Sequence, residues 1–200
     1  RGLGDVYKRQ PQTSVIASYG EQLLDWLNNF TFPTELKFSD PEFAAVAAKE
    51  FLKFLLQNGT TSAMVYTTVF AQSTQAFFAE AEKMNLRMIA GKVMMDRHAP
   101  AGLLDTPESS DADCRKLIET WHNTKRMHYA LTPRFAPTSS PEQLAVTGKL
   151  YRDYPGLYLQ THLSENKQEI AWIKELYPSA RDYLDVYDHH GLLGPRSVFG

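Results

Sequence analysis

The 200-residue sequence lacks several features that mark common functional classes. It has a single cysteine, Cys114, so no disulfide can form within the chain, and we expect a reducing, cytoplasmic environment. No apolar run approaches the ~20 residues of a membrane-spanning helix, and the N-terminus lacks the apolar core of a signal peptide. The net charge is −2 with both signs interspersed, so neither nucleic acid nor an anionic membrane is an expected partner.

Apolar residues make up 43% of the chain, which is enough for a sizeable core in one domain. The first ten residues, 1–10, fit nothing that follows, and they resemble a non-native cloning or assembly scar, with a disordered tail as the alternative. We therefore expect the domain to comprise residues 11–200. At the other end, residues 197–200 begin an apolar run that stops, so we expect a domain truncated at both ends.

Strand-like and helical segments alternate along the chain. Strands are expected at 60–66, 86–94, 127–132, 157–161 and 196–199, and helices at 40–58, 73–85, 111–122, 141–154 and 165–176. Strands alternating with amphipathic helices through short polar turns predict βαβ units and a parallel sheet. The predicted fold class is therefore α/β.

Local signals place the helix starts. Asp40 is predicted to cap a helix that Pro41 opens and Gly59 stops, and Ser73 is predicted to cap the next. In the first of these helices, apolar residues recur at helical spacing and predict one buried face. That face comprises Phe43, Val46, Ala47, Phe51, Phe54 and Leu55.

A closed barrel and an open doubly wound sheet both fit this periodicity. In a barrel, functional residues follow the C-terminal ends of the strands, and polar residues do follow two strands here. No Gly-x-Gly-x-x-Gly or Walker-type loop follows any strand, which weakens a nucleotide-binding open sheet. These observations favour the barrel.

One of these strands ends in His162, with Glu165 three residues later. A histidine at a strand end is held rigidly with one ring nitrogen free for a metal. Ser164 is predicted to cap the next helix and to place Glu165 in its first turn, where the carboxylate can carry a proton for a hydrolytic reaction. The alternative is structural: His162 caps the strand through a hydrogen bond, and Glu165 serves the helix dipole.

The preceding strand runs into a turn in which Pro133 and Pro137 bracket Arg134 and Phe135. The prolines restrict the backbone, so both side chains are expected to have fixed positions. A guanidinium and a phenyl ring suit a flat polar ligand, the first at a carbonyl edge and the second against the ring face. The alternative is a surface arginine with Phe135 packed in the core.

The segment Thr132-Pro133-Arg134-Phe135, followed about 27 residues later by His162-x-Ser164-Glu165-Asn166, resembles the guanine deaminases of the amidohydrolase superfamily. Further similar stretches are 24–28, 30–33, 58–61, 91–96, 177–178 and 186–188. The resemblance covers residues 11–200. It implies a partial (β/α)8 TIM barrel, about the first half to five strands.

The resemblance also implies roles for individual residues. His162 matches a zinc ligand, Glu165 the catalytic proton shuttle, and Arg134 with Phe135 the guanine-contacting pair, while Gln12 matches a glutamine that contacts the purine. The substrate would lie against all five residues. A His-x-His pair would fall within residues 1–10, and further ligands of the single zinc ion would lie outside this chain, so we expect the fragment alone to be inactive.

The implied activity is zinc-dependent hydrolysis of guanine to xanthine and ammonia, with a homodimer expected for the full-length protein. Within enzymes, the alternative is another deaminase or a chlorohydrolase of the same superfamily, acting on a pyrimidine, triazine or adenosine-type substrate. Outside enzymes, the alternative is a non-catalytic barrel that serves as a scaffold.

Overall fold

The computed structural model of this chain describes residues 3–15 and 31–200, with the backbone alone for residues 3–8, 12, 14 and 15. Its strands are β1 (Leu3–Arg9), β2 (Thr60–Tyr66), β3 (Arg87–Gly91), β4 (Val93–Met94), β5 (Met127–Pro133), β6 (Tyr158–Thr161) and β7 (Ser197–Phe199). Its α-helices are α1 (Phe32–Leu36), α2 (Pro41–Gln57), α3 (Ala71–Lys83), α4 (Pro107–Trp121), α5 (Pro141–Asp153), α6 (Lys167–Leu176) and α7 (Tyr183–His189). Short 3-10 turns lie at Gln10–Val15, Lys37–Ser39, Ala101–Leu103 and Ala136–Thr138.

The strands of the described residues form one sheet in which every pair is parallel, in the order β1-β2-β3-β5-β6-β7. Strand β4 continues β3 beyond Lys92 and also pairs with β5. Helices connect β2 to β3, β4 to β5 and β5 to β6, as parallel neighbours require. The predicted α/β alternation is confirmed, and β1 adds a strand within the first ten residues, where none was expected.

The sheet is curled. The side-chain amide of Gln160 on β6 donates to the carbonyl of Val65 on β2 at 2.9 Å, although two strands separate them in the sheet. At a spacing of about 4.8 Å per strand, a flat sheet would hold these backbones roughly 14 Å apart. The curvature brings them within one side chain of each other, so the sheet has the form of a partial barrel and not that of an open doubly wound sheet.

The main core lies between the sheet and its outer helices. Phe78 of α3 stacks on Trp121 of α4 with ring centroids 5.4 Å apart, and Leu52 of α2 is fully buried. Cys114 is fully buried as well and accepts a hydrogen bond from the Tyr129 hydroxyl at 3.3 Å. Burial raises the pKa of the Cys114 thiol to about 11, so this cysteine is a packing residue.

A buried ion pair also lies on the helix side of the sheet. The ammonium of Lys92, which has no exposed side-chain surface, pairs with Asp105 in the loop before α4. The Ser110 hydroxyl donates to the same carboxylate at 3.1 Å. Burial raises the pKa of Asp105, opposed by its attraction to Lys92.

One prediction about α2 and one about α3 are wrong. Helix α3 does not begin at Ser73, because the carbonyl of Phe70 already accepts from the Ser73 and Thr74 amides, and Ser73 lies buried within the first turn. The predicted face of α2 is only partly buried, since Phe43, Val46 and Phe54 are 38%, 63% and 50% exposed. The residues of α2 that are buried are Ala44, Ala48, Phe51, Leu52 and Leu55.

The start of α2 agrees with the sequence. The Asp40 carboxylate accepts from the Glu42 amide at 2.9 Å, and Pro41 opens the helix. None of the helices in residues 3–15 and 31–200 is long and apolar enough to cross a membrane.

Candidate active site

His162 directly follows β6 and is 5% exposed. Its ring Nδ1 donates to the carbonyl oxygen of Arg134 at 2.6 Å, and its backbone amide donates to the same oxygen at 3.1 Å. Because Nδ1 carries the proton, Nε2 presents its lone pair. Burial, and next the positive charge of Arg9, lower the pKa of His162 well below its ordinary value, so the neutral ring is favoured.

Two aromatic rings stand beside this imidazole. The Tyr66 ring, at the end of β2, lies with its centroid 4.7 Å from that of His162, and the Phe135 ring lies edge-on at 6.3 Å. Both rings are buried within a small apolar cluster at the C-terminal ends of the strands. They form an apolar wall against which a flat ring can lie.

Glu165 follows His162 but is not in the first turn of α6, as the sequence predicted. Asn166 caps this helix and forms a capping box with Glu169, while Ser164 takes a left-handed φ of 58°. The turn at Ser164 places the Glu165 carboxylate before the helix, with 34% of its side chain exposed. The cap predicted at Ser164 is therefore wrong, although Glu165 still lies beside the end of β6.

The imidazole and the carboxylate converge on one point. Nη2 of Arg9 lies 2.5 Å from Nε2 of His162 and 2.9 Å from Oε1 of Glu165. One nitrogen atom is thus within hydrogen-bonding distance of both groups. Any small polar group at this position, such as a water or an amino nitrogen, would contact the same two partners.

Arg134 is buried, with 6% of its surface exposed, so the surface-arginine alternative is wrong. Its Nη1 donates to both carboxylate oxygens of Glu35, at 2.8 and 2.9 Å, and the guanidinium lies 5.4 Å from the Phe32 ring centroid. Its carbonyl, as described above, orients His162. Arg134 therefore joins the turn after β5 to the histidine after β6.

The structure brings four of the five proposed site residues to one edge of the sheet: His162, Glu165, Arg134 and Phe135. The side chain of the fifth, Gln12, lies outside the described part of the chain. Sequence reasoning missed Glu35, Phe32 and Tyr66. Glu35 lies 99 residues before Arg134, and no local pattern indicated that the two would pair.

Tyr187 is a further residue that sequence reasoning missed. Its fully buried hydroxyl accepts from the Ala136 amide at 3.0 Å and from the Thr161 hydroxyl at 3.0 Å, and it donates to the His162 carbonyl at 2.8 Å. One side chain from α7 thus ties the turn that carries Phe135 to the end of β6.

We expect Tyr187→Phe to lower the free energy of unfolding by about 1–3 kcal/mol, because it leaves a buried amide and a buried carbonyl without this partner. Urea unfolding of the full-length protein measures the effect. Tyr151→Phe is the control, since the Tyr151 hydroxyl receives a single hydrogen bond from Ser197 at 3.4 Å. Equal stability losses in the two variants would contradict the role assigned to Tyr187.

Among the described residues, His162 fits one ligand position of a metal centre, but they do not supply a complete set of ligands. A neutral imidazole whose Nδ1–H is held by a backbone carbonyl is the usual state of a histidine ligand, and His162 has that state. Within residues 3–15 and 31–200, no group of three or more His, Cys, Asp or Glu side chains is arranged to hold a metal ion. The cation nearest to Nε2 is the Arg9 guanidinium.

Residues 11–199 match the sequence model of the amidohydrolase family. The chain is 54% identical to the guanine deaminase of Escherichia coli (strain K12) over 198 residues, which cover 99% of this chain and 45% of that protein. The solved structure of E. coli guanine deaminase superimposes with a TM-score of 0.97, covering 99% of this chain and 46% of that one. This chain therefore spans about half the length of the curated relatives it matches.

Two other solved structures extend the comparison. Guanine deaminase from C. acetobutylicum, solved with guanine bound in the active site, is 33% identical with a TM-score of 0.95, covering 99% of this chain and 48% of that one. An atrazine chlorohydrolase from Arthrobacter aurescens, solved as a mutant with zinc and atraton, has a TM-score of 0.85 over 99% of this chain and 48% of that one. At 17% identity, that similarity shows the fold alone.

Proposed function

This chain belongs to the amidohydrolase family, and from that premise we propose that it is part of an enzyme that hydrolyses guanine to xanthine and ammonia. The high identity to guanine deaminases supports this substrate. The observation that carries the proposal is the convergence of His162 and Glu165 on one point, next to Arg134 and Phe135. Because the chain spans about half of its relatives, the activity is proposed for the full-length protein.

We assign the proton transfers to Glu165. Its carboxylate lies at the mouth of the site, partly exposed, within reach of the atom that also contacts His162. In that position it takes one proton from the attacking water and delivers it to the ring nitrogen of guanine. It then passes the second proton, from the hydroxyl formed on the attacked carbon, to the amino group, which leaves as ammonia. The water oxygen, which forms the new bond to the amino-bearing carbon, becomes the carbonyl oxygen that replaces the amino group in xanthine.

Arg134, Phe135 and Gln12 bind and orient the heterocycle in this proposal. The Arg134 guanidinium donates to the carbonyl edge, and the Phe135 ring lies against the ring system together with Tyr66. Gln12 adds a polar contact from the turn after β1. A purine without the carbonyl oxygen would leave buried donors without partners, so the site would reject it.

Zinc is the proposed cofactor, with one ion per active site. His162 would supply one imidazole ligand, and the remaining ligands would come from residues other than those described here. Zinc in hydrolases makes hydroxide available at neutral pH. We further propose that residues 1–10 are non-native, that the full-length protein has a His-x-His pair in their place, and that it is a cytoplasmic homodimer.

The test is a guanine hydrolysis assay on a full-length chain completed from the flanking coding sequence. We expect equimolar xanthine and ammonia, loss of activity on removal of zinc, and recovery when zinc is returned. Adenosine, a chlorotriazine and cytosine are assayed in the same way, because they are substrates of the types expected for the alternative deaminase or chlorohydrolase. Turnover of one of these without guanine turnover would refute the substrate, and a metal-free, inactive full-length chain would favour the scaffold.

A further inference from the structure

Helix α1 presents two side chains to the Arg134 guanidinium. Phe32 and Glu35 lie one helical turn apart, so both face the same way, the ring 5.4 Å from the guanidinium and the carboxylate in direct contact. Glu35 is 2% exposed and Arg134 is 6% exposed. The charged groups are therefore largely removed from water and depend on each other.

An ion pair of this kind is weak evidence of a stabilising role. Burying two charges costs several kcal/mol per ion, and an apolar pair of similar size is often as stable. The pair lies next to the proposed site, because the Arg134 carbonyl holds the His162 ring and Phe32 packs in the same cluster as Phe135. Its position points to a role in ligand binding.

The geometry of the pair leaves part of the guanidinium available. Both hydrogen bonds to Glu35 come from Nη1 of Arg134. Within the described residues, the Arg134 side chain makes these two hydrogen bonds. The N–H groups on Nη2 and Nε remain as donors. The carboxylate also cancels the positive charge at close range, so these donors belong to a pair that is neutral overall.

We propose that Glu35 is a positioning residue that fixes the Arg134 guanidinium and cancels its charge, so that the site prefers a neutral oxo-heterocycle to an anionic one. The inference rests on the proposed function, in which Arg134 contacts the carbonyl edge of guanine. A neutral pair supplies donors to a carbonyl oxygen without the attraction that an isolated cation exerts on any anion.

Glu35→Gln in the full-length protein tests this, with urate as the anionic probe. Without the carboxylate, the guanidinium is less well oriented and carries an uncancelled charge. We expect the dissociation constant for guanine to rise about 10- to 100-fold and that for urate to fall about fivefold or more. A purely structural role for Glu35 would weaken both ligands together.

Binding is measured by titration in a Glu165→Gln background, in which guanine turnover is slowed enough for the titration to be completed. This readout does not depend on turnover. If the full-length protein released no ammonia from guanine, the proposed function would be refuted. Opposite shifts in guanine and urate affinity would still support the role of Glu35. Unchanged guanine and urate affinities, or parallel losses, would overturn the role of Glu35 and leave the function intact.

Asp105→Asn is the matched control, because it removes a carboxylate from the other buried ion pair, on the helix side of the sheet. It should lower thermal stability without shifting the guanine to urate ratio. If Glu35→Gln fails to fold, Glu35→Asp replaces it, since it keeps the charge but shortens the side chain. Guanine affinity should then fall about tenfold with urate unchanged, and full guanine affinity would overturn the proposal.

Discussion

Arg134→Ala in the full-length protein should lower kcat/KM for guanine by about 100- to 1000-fold while its zinc content stays unchanged. The guanidinium is buried and, in the proposed function, donates to the carbonyl edge of guanine, so its loss leaves that edge without a partner. The metal site should persist, because the backbone carbonyl of residue 134, not its side chain, holds the imidazole.

The substitution also leaves Glu35 buried without its cation, which costs about 3–5 kcal/mol of stability in comparable pairs. Arg134→Lys separates the two effects, since it keeps a charge for Glu35 but not the planar fork of donors. We expect it to recover most of the stability and little of the activity. Arg115→Ala is the control for a lost ion pair, because Arg115 pairs with Asp111 and Asp153 on the helix surface.

Metal analysis and steady-state kinetics on the same preparations decide the outcome. Unchanged guanine turnover in Arg134→Ala would refute the assignment of guanine as the substrate. Loss of zinc together with activity would instead assign Arg134 a role in building the metal site. Only a selective loss of guanine turnover agrees with a side chain that contacts the substrate.

The neighbourhood of His162 and Arg134 was predictable because it follows from chain order. Strands β5 and β6 are consecutive in the sequence and adjacent in a parallel sheet, so the residues after them must meet at one edge. The types of the elements were also predictable, because the spacing of apolar residues along the sequence differs between strands and helices.

The partner of Arg134 was not predictable, because it depends on how a short helix packs against the barrel. Glu35 and Phe32 read as ordinary residues of a Phe-Pro-Thr-Glu segment, and only the fold brings them 2.8–5.4 Å from a guanidinium far along the chain. The prediction of a fully buried apolar face on α2 failed for a related reason. Periodicity identifies an apolar stripe, but the neighbouring elements decide which part of it is buried.

The cap of α6 is different, because the sequence did hold the signal. Asn166 and Glu169 stand at the spacing of a capping box, and they compete with Ser164 for the helix start. The reciprocal pair satisfies two backbone amides where Ser164 alone would satisfy one. The helix therefore begins at Lys167, and Glu165 lies in the preceding turn instead of the first helical turn.

Glu165→Gln tests the proton transfer proposed for this carboxylate. We expect kcat for guanine to fall about 100- to 10,000-fold, while the dissociation constant for guanine changes by less than about threefold. The amide keeps the shape and the polar contact of the carboxylate but cannot accept and return a proton. The carboxylate and His162 converge on one point, which is where this proton transfer is proposed.

Glu169→Gln is the matched control, because Glu169 is the next acid along the chain and is held away from that point. Its carboxylate accepts from the Tyr183 hydroxyl at 2.5 Å and from the Asn166 amide at 3.1 Å, so its loss should reduce stability and not kcat. Single-turnover kinetics separates the chemical step from product release in both variants. An unchanged chemical step in Glu165→Gln would mean that another group carries the proton, and the convergence of His162 and Glu165 would then serve ligand orientation alone.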